Sequence, residues 1–141
     1  MQVEHLTIDT QPASQDVQFL DDQITEFNFA QTGIRDGTLL AIFVRNDRND
    51  IMAGIYGWTW GGCCEIRYLW VHPNLRGQGY GRQLLMAAEG EARARGCLQM
   101  VLDTHSFQAP GFYHKLGYET VGVVDEYPRH HQKICLRKRL G

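Results

Sequence analysis

Long apolar runs are missing from this chain of 141 residues, and no stretch approaches the ~18 residues a membrane-spanning helix needs. The first residues lack the basic start and apolar run of a secretory leader, so the expected compartment is the cytoplasm and no membrane partner is expected. An excess of one charge is missing too: 14 Lys and Arg stand against 16 Asp and Glu, which argues against a nucleic-acid partner. Prolines number only 4, and there is no repeat, linker or low-complexity segment, so residues 1–141 are expected to form a single domain. Cysteines are equally few. Cys63, Cys64, Cys97 and Cys135 show no metal-ligand spacing, and Cys63–Cys64 falls on an expected strand where neighbouring side chains face opposite ways. They read as buried, reduced thiols rather than as a disulfide. His130–His131 have no third spaced ligand, so no metal is expected.

What is present is glycine in a telling place. The segment Leu69-Trp70-Val71-His72-Pro73-Asn74-Leu75-Arg76-Gly77-Gln78-Gly79-Tyr80-Gly81-Arg82-Gln83-Leu84-Leu85 opens on an apolar run that stops at a proline. An arginine, three alternate glycines and a helical pattern follow. This describes a strand feeding a tight loop into a helix N-terminus, where backbone N–H groups lack partners and the dipole favours negative charge. Glycine removes the Cβ that would hold off a bulky anion, and a diphosphate is the natural guest. The spacing is neither G-x-G-x-x-G nor a Gly-Lys-Ser/Thr loop.

Periodicity along the rest of the chain predicts the order β-α-β-β-β-α-β-α-β-β. A strand is expected at 2–9, then a helix opened by Pro12 and Ser14 with the apolar stripe Val17, Leu20, Ile24 and Phe27. Strands follow at 39–44, 51–60 and 63–71, separated by the turns at 46–50 and Gly61-Gly62. A helix at 82–95 carries Leu84, Leu85, Ala88 and Ala92 on one side and is closed by Gly96. A strand at 98–104, a short helix at 109–116 and strands at 117–124 and 132–137 complete the path. The predicted class is α/β (α+β), a mixed, mostly antiparallel twisted sheet of six or seven strands with helices on both faces.

The pattern Arg76-x-x-Gly79-x-Gly81 resembles the acetyl-CoA pyrophosphate loop of the GNAT N-acetyltransferases. Two further segments agree in order and spacing. Ser106-Phe107-Gln108-Ala109-Pro110-Gly111-Phe112-Tyr113-His114-Lys115-Leu116-Gly117-Tyr118 is similar to the family's late segment ending in Tyr-x-Lys-Leu-Gly-aromatic, and Glu65–Val71 is the strand entering the loop. The resemblance covers residues 38–124. It implies a sheet splayed between the strands Cys63–Val71 and Leu98–Thr104, acetyl-CoA as co-substrate, and direct transfer of acetyl to a primary amine. Leu69, Trp70 and Val71 would meet the pantetheine arm and thioester through main-chain groups. Arg76, Gly77, Gln78, Gly79, Tyr80, Gly81 and Arg82 would hold the pyrophosphate. Ser106, where the family often has an asparagine, and Ala109 are also expected at the donor. Tyr113 matches the tyrosine that protonates the departing thiolate. The side chains of Tyr68 and Trp70 are expected in the core.

Glu65 lies six residues before Val71 and is expected to share a strand face with Arg67, Leu69 and Val71. It stands where the histone-acetyltransferase branch has a catalytic glutamate, which implies a base. Asp103 and His105 are the alternatives, and Arg67 offers Glu65 an ion-pair partner instead. Tyr56, Trp58, Trp60 and Phe107 are expected to form an aromatic wall, with Asp103, Glu65, Asp125 and Glu126 as anions, which suits a small cationic amine. The acidic stretch before residue 37, with Arg35 as its single base, adds to that attraction. A peptide amine is the competing acceptor, a non-catalytic acyl-CoA module the competing function, and a homodimer is compatible with either.

Overall fold

The computed structural model describes residues 6–141. The chain falls into two compact units, Met1–Arg35 and Asp36–Gly141. In the first, α1 spans Ser14–Thr32. Gly33 ends it in the left-handed conformation, its N–H donating to the Phe29 carbonyl at 2.8 Å. Arg35 pairs with Glu26 at 3.0 Å and lies over the Phe29 ring. Of the strand expected at 2–9, residues 2–5 lie outside the described residues, and residues 6–9 are not in a strand.

The second unit is built on a sheet of six strands in the order β1-β2-β3-β4-β6-β5. The strands are β1 Thr38–Arg45, β2 Ile51–Trp60, β3 Cys63–Val71, β4 Gln99–His105, β5 Glu119–Asp125 and β6 Gln132–Arg139. Every neighbouring pair is antiparallel except β3 and β4. Asn46 makes the first hairpin turn by accepting the N–H groups of Arg48 and Asp50 on its side-chain oxygen, both at 2.9 Å. The parallel β3–β4 connection carries α2, Tyr80–Ala94, which buries Leu84, Leu85, Ala88 and Ala92 against β1, β2 and β3. There they meet Cys64 and also Ile55, Met100 and Leu136, whose burial contributes about 1.5–3 kcal/mol each. The short α3, Pro110–Lys115, leans on the same core through Phe112 and Tyr113. Cys64 and Cys97 are buried, Cys63 and Cys135 are half-buried, and all four are free thiols.

The feature that matters for function is a single extra residue. On β2, Tyr56 and Gly57 are adjacent, but their partners on β3 are Tyr68 and Ile66, so Arg67 bulges out of the ladder. A bulge bends its strand and increases the twist. Gly57 permits it, because a Cβ there would run into the Glu65 carbonyl. β3 pairs with β4 only over Cys63–Ile66 and Gln99–Leu102, then follows β2 away, while β4 stays with β6 to its end at His105. The sheet splits there, at the strands where the splay is expected.

The bulge also resets the alternation of side chains. Cys64 and Ile66 face the core, and so do Leu69 and Val71 beyond the extra residue. Glu65 therefore does not share a face with Leu69 and Val71, as strict alternation would require, but points to the opposite side of the sheet. For the same reason Tyr68 and Trp70 are not core residues: they are 61% and 45% exposed.

Candidate active site

The split opens a cleft of about 990 Å³. The free part of β3, including Leu69, Trp70 and Val71, forms one wall. Opposite stand Leu102, Asp103 and Thr104 of β4, the following loop with Phe107, Gln108 and Ala109, and Phe112 and Tyr113 of α3. One end is closed by Arg76, Gly77 and Gly79 and by Tyr80, Gly81 and Arg82 at the start of α2.

What this end offers is main-chain geometry. Gly77 and Gly79 have φ of 78° and 87°, and a Cβ on either would meet nothing within 4 Å. The glycines thus serve the turn and leave space open beside it. The first bond within α2 runs from Gln83 N–H to the Gly79 carbonyl at 3.0 Å, so the N–H groups of Tyr80, Gly81 and Arg82 precede the helical ladder. Arg76 straps the loop to β3, its Nε donating to the Val71 carbonyl at 2.9 Å. Gln78 is not in the lining; its side-chain amide donates to the Asn74 carbonyl at 3.2 Å.

Tyr113 is half-buried in the opposite wall, its ring edge-on to Phe112 and Tyr118 at 5.0 and 5.8 Å. Burial pushes its phenol up from the ordinary tyrosine range. Among the described residues its hydroxyl has no hydrogen-bond partner. Ala109 lines the cleft, whereas Ser106 does not. The Ser106 hydroxyl instead accepts the Gln132 N–H at 3.0 Å and clips the loop to β6. Gln108, which no motif singled out, does line the cleft and accepts the His105 N–H at 2.7 Å and the Thr104 hydroxyl at 3.2 Å. The hint was chemical: an amide is sought at position 106, and one stands two residues later.

A smaller hollow of about 150 Å³ lies on the other side of the sheet, lined by Glu65, Arg67, Val101, Asp103 and Cys135 with Ile66 and Leu102. It shares Ile66, Arg67, Leu102 and Asp103 with the large cleft, so the two meet through the split. Asp103 pairs with Lys133 at 3.5 Å. Burial first, then a hydrogen bond to Asp103, pushes the Cys135 thiol up, so it stays protonated. Arg67 does not pair with Glu65; its guanidinium lies 5.7 Å from the centre of the Tyr68 ring.

The expected aromatic wall is divided by the split. Tyr56 stacks on Tyr68 at 6.1 Å and meets Trp58 edge-on at 6.2 Å, on the β2–β3 side. Phe107 belongs to the other side, stacked on His105 at 5.3 Å and touching His131 at 5.1 Å. Tyr56, Trp58, Trp60, Asp125 and Glu126 line neither hollow. Among the described residues no three His, Cys, Asp or Glu side chains cluster as metal ligands, and no helix is long and apolar enough to cross a membrane.

Comparison with known proteins agrees with this geometry. The model of the acetyltransferase (GNAT) family matches residues 2–118. An acetyltransferase of Agrobacterium fabrum is 37% identical over 118 residues, covering 84% of this chain and 86% of that protein. Blasticidin-S acetyltransferase of Streptomyces morookaense is 35% identical over 92 residues, 62% of this chain and 65% of that protein. The crystal structure of an acetyltransferase from Bacillus cereus superposes with a TM-score of 0.79 at 31% identity, covering 97% of this chain and 98% of that one. A split sheet, a glycine loop at a helix start and a tyrosine facing it thus have the company their shape suggests: the chain belongs to the GNAT acetyltransferase family.

Proposed function

We propose that this acetyltransferase moves the acetyl group of acetyl-CoA to the primary amine of a small cationic molecule, with the donor in the large cleft and the acceptor entering by the smaller hollow. The observation that carries this reading is the junction of the two spaces at Ile66, Arg67, Leu102 and Asp103. Two substrates held on opposite faces of the sheet meet there without competing for room. The family match runs across both units, from residue 2 to 118, which supports reading the chain as one acetyltransferase domain. The likeness to a blasticidin-S acetyltransferase supports a small-molecule acceptor.

Acetyl-CoA supplies the acyl group as an activated thioester. The N-terminal N–H groups of α2, with Gly77, Gly79 and Arg76, hold its diphosphate. The free edge of β3 from Leu69 to Val71 offers main-chain groups to the pantetheine arm, as an edge strand offers them to an added strand, and a donor for the thioester oxygen. Tyr113 holds a proton at a hydroxyl whose pKa is raised, so the group stays protonated at neutral pH and serves the departing thiolate. Glu65 takes the amine proton from the opposite face, through water. Asp103 is the weaker candidate because Lys133 already occupies its charge. His105, whose Nδ1 meets the Tyr127 carbonyl at 3.1 Å, is the next.

A panel of primary amines assayed for acetyl-CoA-dependent thiol release tests the proposal. Turnover of small cationic amines is the expected result. Turnover confined to peptide amines would reassign the acceptor, and tight coenzyme A binding without turnover would mark a binding module.

A further inference from the structure

One buried charge is used by nothing above. Glu89, on α2, is 3% exposed, yet both of its carboxylate oxygens are engaged. Oε1 accepts from the Lys138 ammonium of β6 at 2.8 Å, and Oε2 from the Tyr118 hydroxyl at 2.8 Å. Packing alone does not ask for a carboxylate here, since an apolar side chain of similar volume costs no more to bury than a paired ion. What the charge adds is a fixed geometry among three segments. These are α2, whose first turn lines the donor end of the cleft, β6, and the segment after α3, where Tyr118 stands three residues past Lys115.

Tyr118 is held on every side. Its hydroxyl is on Glu89, its N–H donates to the Tyr113 carbonyl at 3.0 Å, and the Lys138 ammonium lies 5.7 Å from its ring centre. Burial and the bond to Glu89 push its phenol far up, so it remains a donor. The Tyr113 ring meets this ring edge-to-face, at 5.8 Å and 72°. Because the Tyr113 hydroxyl has no protein partner among the described residues, ring contacts alone aim it.

We propose that Glu89, by accepting the Tyr118 hydroxyl while Lys138 balances its charge, is a positioning residue that sets the Tyr113 hydroxyl relative to the donor end of α2. The inference rests on the reading of Tyr113 as proton donor. A displacement of about 1 Å at a reacting group costs on the order of 100-fold in rate, so an anchor of this kind is felt in turnover rather than in binding.

The test uses the full chain, with coenzyme A affinity measured by calorimetry and turnover by thiol release from acetyl-CoA, with spermidine or, more slowly, water as acceptor. Tyr118→Phe keeps the ring and removes its anchor. It should lower kcat about tenfold or more, leave coenzyme A affinity within about twofold, and cost nothing further in a Tyr113→Phe background. Glu89→Leu with Lys138→Met leaves no stranded charge and should behave like Tyr118→Phe. Glu89→Gln with Lys138→Met keeps an acceptor for Tyr118 and should restore kcat. Equal losses with and without Tyr113, or no loss at all, would overturn the positioning role. An unchanged kcat in Tyr113→Phe alone would instead sink the proton-donor reading.

Discussion

The two spaces that meet at the split are built from different material. The large cleft presents main chain where it is expected to hold the donor: a free strand edge, two glycines with positive φ and the first N–H groups of a helix. The small hollow presents side chains, with Glu65, Arg67, Asp103 and Cys135 around it. Main-chain groups recognise features that any coenzyme A thioester carries, and they change only if the backbone does. Side-chain walls can be rewritten one residue at a time. One sheet can therefore keep a donor and vary its acceptor, and the boundary between the two constructions is the bulge at Arg67.

The strongest way to break this contrast is to remove the bulge. In Gly57→Ala a Cβ must displace the Glu65 and Ile66 backbone. We expect a loss of about 3 kcal/mol or more by chemical denaturation. Coenzyme A binding should weaken together with turnover, because both spaces depend on the same divergence of β3 from β4. A folded, fully active variant would show that the split does not need this glycine.

Tyr113→Phe tests the proposed chemistry inside the large cleft. It should lower kcat by roughly 10²–10⁴-fold while coenzyme A affinity holds. The pH profile sharpens the point. A proton donor works while protonated, and burial raises the Tyr113 pKa, so turnover should persist through the ordinary tyrosine range and fall only above it. That alkaline fall should be absent from the variant.

Gly79→Val tests the main-chain side alone. The residue has φ of 87° and open space around a Cβ, so a bulky side chain strains the turn and fills the room beside it. Coenzyme A affinity should drop about tenfold or more by calorimetry, with kcat at saturating donor less affected. Unchanged affinity would make the loop an ordinary turn.

The same division explains what the sequence discloses. Glycine loops and helix starts are local, so the segment around Gly77–Arg82 is legible, although α2 begins at Tyr80 rather than Arg82 because Gly79 is the last turn residue. The position of Tyr113 follows from a helix and a recognisable tail. The bulge is not local in this sense. Strict alternation carried through Arg67 puts Glu65 beside Leu69 and buries Tyr68 and Trp70, and each of these is reversed in the structure. Gly57 has no turn to make and is the available sign, but Gly54 on the same strand looks alike and stays in register, so the sequence does not tell them apart. The division of the aromatic wall has the same origin. Tyr56 and Phe107 stand on opposite sides of a gap, and a gap between strands leaves no mark on the composition of either.

The smallest expected effect falls on the side-chain hollow. Glu65 is half-buried, faces away from the donor cleft and makes no ion pair with Arg67, so its carboxylate is available to an acceptor. A primary amine arrives protonated at neutral pH and must lose a proton before it can attack. Glu65→Gln preserves shape and hydrogen bonding but cannot take that proton. It should lower kcat/KM about tenfold at neutral pH and leave coenzyme A affinity untouched. As the pH rises the free amine becomes abundant without help, so the deficit should shrink, and the variant's profile should climb more steeply than the wild type's. If the two profiles run parallel, the carboxylate only attracts the cation, and the proton leaves through Asp103, His105 or solvent. Either profile measures how far the smaller hollow takes part in the proposed chemistry.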